Sequence, residues 1–313
     1  MDRRKFVALA ATSVAGGAIL SATGLAPAQA QEQAASSLPK PRKQLMMGYY
    51  RTWGDVVTEQ DAHTSMANIP DEVDVVFLSF AVTANDSRLS KAIQHTYIPL
   101  LQGQGTKVVN TIFVDKLIDP AYPNTPEGHR ALAEHLVTTY VTDIGADGLD
   151  VDVERSFTTA QLAQAKGVFT ELSTLLGPRA DNGTLLIFDT NKSGNEPLLQ
   201  HAAGLVDYVL VQSYGRNVAG LQATWETFEP WIEPHQYLIG FTFYEHRGQF
   251  RTDVTLPMET SRAYAYATWN PEGARKGGIF SYAIDRDGVA PGDDTSHPSD
   301  YSWSRELKHV MNR

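Results

Sequence analysis

From Leu45 onward, short apolar runs recur along the chain, separated by stretches in which apolar residues return every three or four positions. The runs are LMMGYY (45–50), VDVVFLSFAV (73–82), KVVNTIFV (107–114), GLDVDVE (148–154), TLLIFDT (184–190), VDYVLVQS (206–213), YLIGFTFY (237–244) and GGIFSYAI (277–284). Each has strand length and is rich in Val, Ile, Leu, Phe and Tyr. Between them, Leu132, Leu136 and Tyr140 stand four apart in one helical stretch, and another opens on Thr158 and stops at Gly177-Pro178. Strand and helix signals in alternation predict parallel strands joined by helical crossovers. Eight such units predict an α/β fold, a single (β/α)8 TIM barrel spanning residues 44–313. An open doubly wound sheet satisfies the same alternation, but it more often carries a glycine-rich phosphate turn after its first strand, and the sequence has no GxGxxG. A polar loop (288–303) leads to a last helical stretch (304–312), expected to close the floor or side of the barrel.

The residues before Leu45 follow another pattern. The chain begins MDRRKF, runs through an apolar stretch rich in Ala, Ser, Thr and Gly from Val7 to Leu25, and reaches Ala28-Gln29-Ala30. A basic start, an apolar middle and a small-x-small end describe an export signal, and the Arg3-Arg4 pair makes it the twin-arginine type. Residues 1–30 are therefore expected to direct secretion, with an N-terminal membrane anchor as the alternative. Residues 31–43, polar and holding two prolines, are expected to form a flexible leader. No later stretch offers 20 apolar residues in succession, so the exported protein is expected to be free of the membrane.

Composition narrows the chemistry. The 313-residue chain is 42% hydrophobic with a net charge of −10. It can bury a large core, and its acidic balance, without a basic stripe interleaved with aromatics, argues against nucleic acid as a partner. The lack of cysteine removes disulfides, thiolate metal sites and cysteine nucleophiles together. The chain also lacks GxxxxGK[ST], GxSxG and HExxH. No cofactor is expected.

The fourth apolar run carries the chemistry. In DGLDVDVE (147–154), Asp150, Asp152 and Glu154 alternate with Leu149, Val151 and Val153. Successive strand side chains point to opposite faces, so the three carboxylates share one face and the three aliphatic residues the other. In a barrel the aliphatic face lies under the helices and the carboxylates point inward. They climb by roughly 6.5–7 Å per pair of residues toward the C-terminal rim, where barrel active sites sit. Asp150 is expected deepest and Glu154 at the mouth. Parallel strands are usually continuous apolar runs, so such a row is costly when ionised and is expected to share protons. A solvated edge strand and a carboxylate metal site remain as alternatives; a single strand face is too collinear to wrap an ion alone.

Asp147-x-x-Asp150-x-Asp152-x-Glu154 resembles the DxxDxDxE signature on the fourth strand of glycoside hydrolase family 18, a family of chitinases and endo-β-N-acetylglucosaminidases. The resemblance covers essentially the whole exported chain. Gln212-Ser213-Tyr214 after the sixth run, where chitinases tend to show Met-x-Tyr-Asp, and Gly278 to Gly288 around the eighth are similar to the secreted bacterial endo-β-N-acetylglucosaminidases. The third run, VVNTIFVDK, departs from the glycine-rich third strand of chitinases.

The resemblance implies retaining, substrate-assisted hydrolysis without an enzyme nucleophile. The sugar's 2-acetamido oxygen would attack its own anomeric carbon. Glu154 would protonate the departing oxygen and then activate water, kept protonated by a partly buried setting. Asp152 would accept the acetamide N–H and offset the developing charge, and Asp150 would share a proton with Asp152. Tyr214 would donate to the acetamide oxygen, and Gln212 would hold the same group or adjacent hydroxyls. Asp147 is expected to hold the start of the strand or a backbone donor. Tyr50, Trp53, Phe80, Asp189, Tyr244, His246 and Tyr282, near strand ends, are candidate sugar contacts. The substrate implied is an N-glycosylated glycoprotein, met by a monomer. A chitinase, a catalytically silent sugar-binding protein and a metal-dependent hydrolase are the competing functions.

Overall fold

The computed structural model describes residues 43–59, 62–245, 252–295 and 297–313. The export signal, all of the leader but Lys43, and His246 lie outside the described residues. Eight parallel strands close into a barrel in chain order: β1 (Leu45–Arg51), β2 (Val75–Ser79), β3 (Lys107–Phe113), β4 (Gly148–Val153), β5 (Leu185–Thr190), β6 (Tyr208–Gln212), β7 (Tyr237–Thr242) and β8 (Gly278–Tyr282), with β1 pairing back onto β8. Most strands end earlier than the apolar runs suggest, whereas β1 extends one residue past its run and β5 ends with it. After β2 the chain turns through Ala81, which takes a left-handed φ of 53°, so Phe80 stands just past the strand. Tyr244 likewise lies beyond β7.

Alternation sorts the strand residues into two apolar cores. Leu149, Val151 and Val153 belong to the outer one, between sheet and helices, as their spacing predicts. Met47, Tyr49, Val75, Phe77, Val109, Ile187, Leu210, Leu238 and Phe280 fill the barrel interior. Gly240 makes room there: a Cβ at this position would lie 2.3 Å from the Phe280 ring.

Helices cross between the strands on the outside. Thr125 caps the helix Pro126–Val137, which continues through Thr142 as a wider turn; it begins earlier than the spacing of its leucines suggests. Thr158 and Gln161 form a reciprocal capping box on the helix Thr159–Leu175. Gly177, at φ 77°, turns the chain away after it. The last helix, Ser302–Met311, packs Trp303, Leu307 and Met311 into the outer core. Its end is tied to the start of β1 through Gln44, Lys308 and Asn312.

Three aspartates repeat one device at the barrel floor. Asp74, Asp147 and Asp207 each precede an even-numbered strand, and each accepts the backbone N–H of the second residue of the strand before: Met46, Val108 and Leu186, at 2.7, 2.8 and 2.9 Å. Asp147 thus holds a backbone donor at the beginning of β4. Its other oxygen pairs with Lys107 at 3.0 Å.

Among the described residues, no helix is long and apolar enough to cross a membrane.

Candidate active site

A cavity of about 530 Å³ opens at the C-terminal end of the strands. Asp152 and Glu154 line it from β4, and Asp189, Gln212 and Tyr214 from β5 and β6. Asp150 is fully buried beneath, Asp152 is 5% exposed, and Glu154, just past the strand, is exposed at the mouth. The order of depth follows from the two-residue period of β4. Strand register adds a third buried carboxylate: Asp189 on β5 is paired directly with Asp152.

Neutral donors hold this group. Asp150 Oδ2 accepts hydrogen bonds from the Tyr49 hydroxyl at 2.8 Å and the Thr111 hydroxyl at 2.9 Å. Gln212 Nε2 donates to Asp189 Oδ2 at 2.8 Å and to Asp152 Oδ1 at 3.3 Å. Asp152 also shares a hydrogen bond with Glu154, and Asn191 Nδ2 donates to Glu154 Oε2 at 2.8 Å. The remaining oxygens, Asp150 Oδ1 and Asp189 Oδ1, are buried and have no hydrogen-bond partner among the described residues.

Burial raises the proton affinity of all three aspartates. Asp152 is pushed up further by the charges of Asp189 and Glu154. Asp150 is pushed up by Asp152 and Asp189 by Asp150, against the pull of the donors just named. The group therefore retains protons well above the usual carboxylate range. In Asp150, where Oδ2 is taken by two donors, Oδ1 is the oxygen left to carry one. Burial, then Asp189 and Asp152, pushes the Tyr214 phenol up, so it remains a neutral O–H donor. Among the described residues no group of three or more His, Asp or Glu side chains is arranged to hold a metal ion.

The family described as the endo-β-N-acetylglucosaminidase EndoS TIM-barrel domain matches residues 48–281. The chain belongs to this endo-β-N-acetylglucosaminidase barrel family. It is 36% identical to endo-β-N-acetylglucosaminidase EndoSd of Streptococcus dysgalactiae over 86% of this chain and 39% of that protein. The chain thus spans about two-fifths of the length of the streptococcal relatives it matches. It is 32% identical to endo-β-N-acetylglucosaminidase F2 of Elizabethkingia meningoseptica, over 86% of this chain and 82% of that one. The crystal structure of an endo-β-N-acetylglucosaminidase from Cordyceps militaris superposes with a TM-score of 0.83 at 45% identity, covering 93% of this chain and 98% of that one. A variant of the Cordyceps enzyme carrying an Asp→Asn and a Glu→Gln change has been solved with fucosyl-N-acetylglucosamine-Asn.

As a member of this barrel family, the chain brings some of the expected residues together and separates others. Phe80 and Tyr282 line the cavity, and the Tyr282 hydroxyl donates to Glu245 at 3.1 Å. Trp53, 45% exposed, stacks on Phe80 with ring centroids 6.3 Å apart, and Phe80 meets Phe113 at 4.8 Å. Trp53 extends an aromatic rim without lining the cavity. Tyr50 does not reach it: the ring lies in the outer core with its hydroxyl on Asp55 at 2.7 Å, because its strand neighbour Tyr49 takes the inward position. Tyr244 turns to Asp294 at 3.1 Å and does not line the cavity. Gln212 has both amide hydrogens engaged with Asp189 and Asp152, so its donors hold the carboxylates instead of an acetamide. Glu154 is exposed where a partly buried position was expected; burial falls on the aspartates below it.

The cavity also has four residues the spacing did not single out: Tyr49, Phe113, Asn191 and Arg216. Tyr49 was reachable by counting two residues from Met47 along the inward face. Asn191 and Arg216 stand on loops, where no periodicity applies.

Proposed function

We propose that the protein is an endo-β-N-acetylglucosaminidase that cuts between the two core GlcNAc residues of N-linked glycans, with the chemistry of glycoside hydrolase family 18. The observation that carries this reading is the placement of Asp152 and Glu154 on one cavity with Tyr214, above a buried and proton-retaining Asp150. The Cordyceps variant supports it in two ways. Its two altered side chains, an Asp and a Glu, stand two positions apart, as Asp152 and Glu154 do, and its ligand is a GlcNAc linked to Asn. Chitinases of similar fold, such as one from Pseudoalteromonas aurantia at 14% identity and a TM-score of 0.56, support the barrel alone.

In this reading Glu154, at the mouth, gives its proton to the glycosidic oxygen as the bond to the anomeric carbon breaks. The 2-acetamido oxygen forms the new bond to that carbon and closes an oxazolinium ring. Asp152 accepts the acetamide N–H. As positive charge develops on the ring, Asp152 carries the offsetting negative charge, the proton the pair shares resting on Asp150 and the Gln212 amide stabilising the anion. Tyr214 donates its hydroxyl toward the acetamide. Glu154, now ionised, takes a proton from water, whose oxygen opens the ring on the same face that the leaving group left. Two inversions give net retention.

The aromatic rim of Trp53, Phe80 and Phe113 offers flat apolar faces to sugar rings. Export by the twin-arginine route belongs to the same reading and rests on Arg3-Arg4 and the apolar stretch that follows. A glycoprotein partner outside the cell and a monomeric enzyme complete it.

Mass spectrometry of an N-glycosylated protein before and after incubation tests the reading. The expected product keeps one GlcNAc, with any fucose attached to it, on each Asn. Cleavage of chitin oligomers with an unchanged glycoprotein would overturn it.

A further inference from the structure

We propose that Asn191 is a positioning residue for Glu154, selecting Oε1 as the oxygen that exchanges protons with substrate and water. This rests on the reading of Glu154 as the acid and base. The geometry begins at the strand tips. Val153 and Thr190 are the last paired residues of β4 and β5, so Glu154 and Asn191 occupy the next rung. There the backbone ladder has ended and a side-chain ladder replaces it. Thr190 Oγ1 donates to the Val153 carbonyl at 2.8 Å and accepts the Lys192 N–H at 3.0 Å, which staples the loop after β5 to the end of β4. One position on, Asn191 Nδ2 donates to Glu154 Oε2 at 2.8 Å.

Asn191 is itself held from the next strand. Arg216, on the loop after β6, donates through Nη2 to the Asn191 carbonyl at 2.8 Å. The Arg216 carbonyl in turn accepts the Tyr266 hydroxyl at 2.9 Å, and the Arg216 N–H donates to Ser213 at 2.9 Å. The chain of contacts runs Tyr266, Arg216, Asn191, Glu154, and crosses three strand tips.

The chemical consequence follows from the direction of the last bond. An amide N–H can only donate, so Oε2 is used as an acceptor, and the carbonyl oxygen of a carboxyl group accepts better than its hydroxyl oxygen. The bond therefore favours Oε1 as the oxygen that carries the exchangeable proton. A glutamate past a strand end, exposed and with three rotatable bonds, otherwise presents either oxygen in several rotamers. Fixing one oxygen removes that freedom before the reacting geometry is reached.

The test compares Asn191→Ala and Asn191→Asp in the full-length enzyme on an N-glycopeptide. Asp is isosteric but brings no N–H, so a requirement for the donor and a requirement for shape separate. Both variants are expected to lower kcat by about tenfold, the weight of one hydrogen bond to a charged group, with KM within about twofold of the parent. Both should move the alkaline limb of the pH profile of kcat/KM to higher pH, since losing the donor favours protonated Glu154 and the Asp charge does so further. The other titratable and charged groups facing this cavity, Tyr49, Asp152, Asp189, Tyr214, Arg216 and Tyr282, are the same in both variants. Parent-like kcat in the Asp variant, or a loss in both with an unmoved alkaline limb, overturns the inference. Glu154→Gln is the control for the reading beneath it. If that variant keeps parent activity, the acid assignment itself fails; if it is inactive while Asn191→Ala is parent-like, only the present inference fails.

Discussion

Two sets of buried carboxylates sit near the mouth of the same barrel, and they are neutralised in opposite ways. On the β1, β7 and β8 side, Arg51 donates to Asp285 at 2.7 Å through Nη2 and at 3.0 Å through Nε, and lies 3.6 Å from Glu245. All three side chains are buried. On the β4 and β5 side, Asp150, Asp152 and Asp189 are equally buried but meet hydroxyls, an amide and the Glu154 carboxyl, with no cation among their hydrogen-bond partners. A guanidinium stays charged throughout the working pH range, so the first set is locked to a permanent cation. Without a cation, burial makes the second set retain protons and pass them among themselves. The difference separates scaffold from chemistry: the locked set holds Tyr282 through Glu245, and the proton-retaining set stands under the place where charge would develop.

The largest expected effect breaks the chemical side. Glu154→Gln should lower kcat on glycoprotein by about 10²–10⁴-fold, the weight of a general acid–base group, while glycan binding measured by calorimetry persists. Asp152→Asn should lose hydrolysis to a similar degree and still consume a preformed oxazoline. Parent turnover in either protein would remove that side of the comparison.

Next in size is the structural side. Arg51→Met leaves Asp285 and Glu245 buried without their cation, which costs about 3–5 kcal/mol for a broken buried pair. The midpoint of chemical denaturation should fall accordingly. A variant that kept parent stability but lost activity would show that Arg51 belongs with the chemistry.

The smallest effect sharpens the contrast through pH. The folded-state affinities of Asp150, Asp152 and Asp189 for protons lie above the ordinary carboxylate range. The folded protein therefore binds more protons than the unfolded chain from about pH 4 upward, and stability falls as pH rises through the raised values. Asp150→Asn removes one of these ionisations, and its amide oxygen can take the Tyr49 and Thr111 bonds that Oδ2 now accepts. Its stability relative to the parent should grow between pH 5 and pH 8 in paired denaturation curves. A difference constant with pH would mean that Asp150 is ordinarily ionised in the fold.

Periodicity carried the reading as far as it is able to go. The two-residue repeat of Asp150, Asp152 and Glu154 and of their aliphatic neighbours determines which face each takes and how deep it lies, because these are properties of one strand. Eight alternating units likewise determine parallel strands covered by helices, while closure into a barrel is seen only where β1 pairs back onto β8. Thr158 and Gln161, Gly177 and the punctuation of the helices are equally local. The same two-residue rule, counted from the inward Met47, puts Tyr49 inside and Tyr50 in the outer core.

What the tertiary structure alone decided is everything that depends on which strands meet and at what height. Asp189 becomes the third carboxylate because register sets it beside Asp152, and Gln212 is turned to those carboxylates by the strand that brings it within reach. Tyr244 and Phe80 are near in sequence to strand ends, yet one faces Asp294 and the other the cavity. Asn191 and Arg216 come from loops without a repeating pattern. A strand's own sequence encodes its faces through short-range geometry, whereas partners across a barrel are chosen by closure and packing of the whole, so they are visible only once the chain has folded.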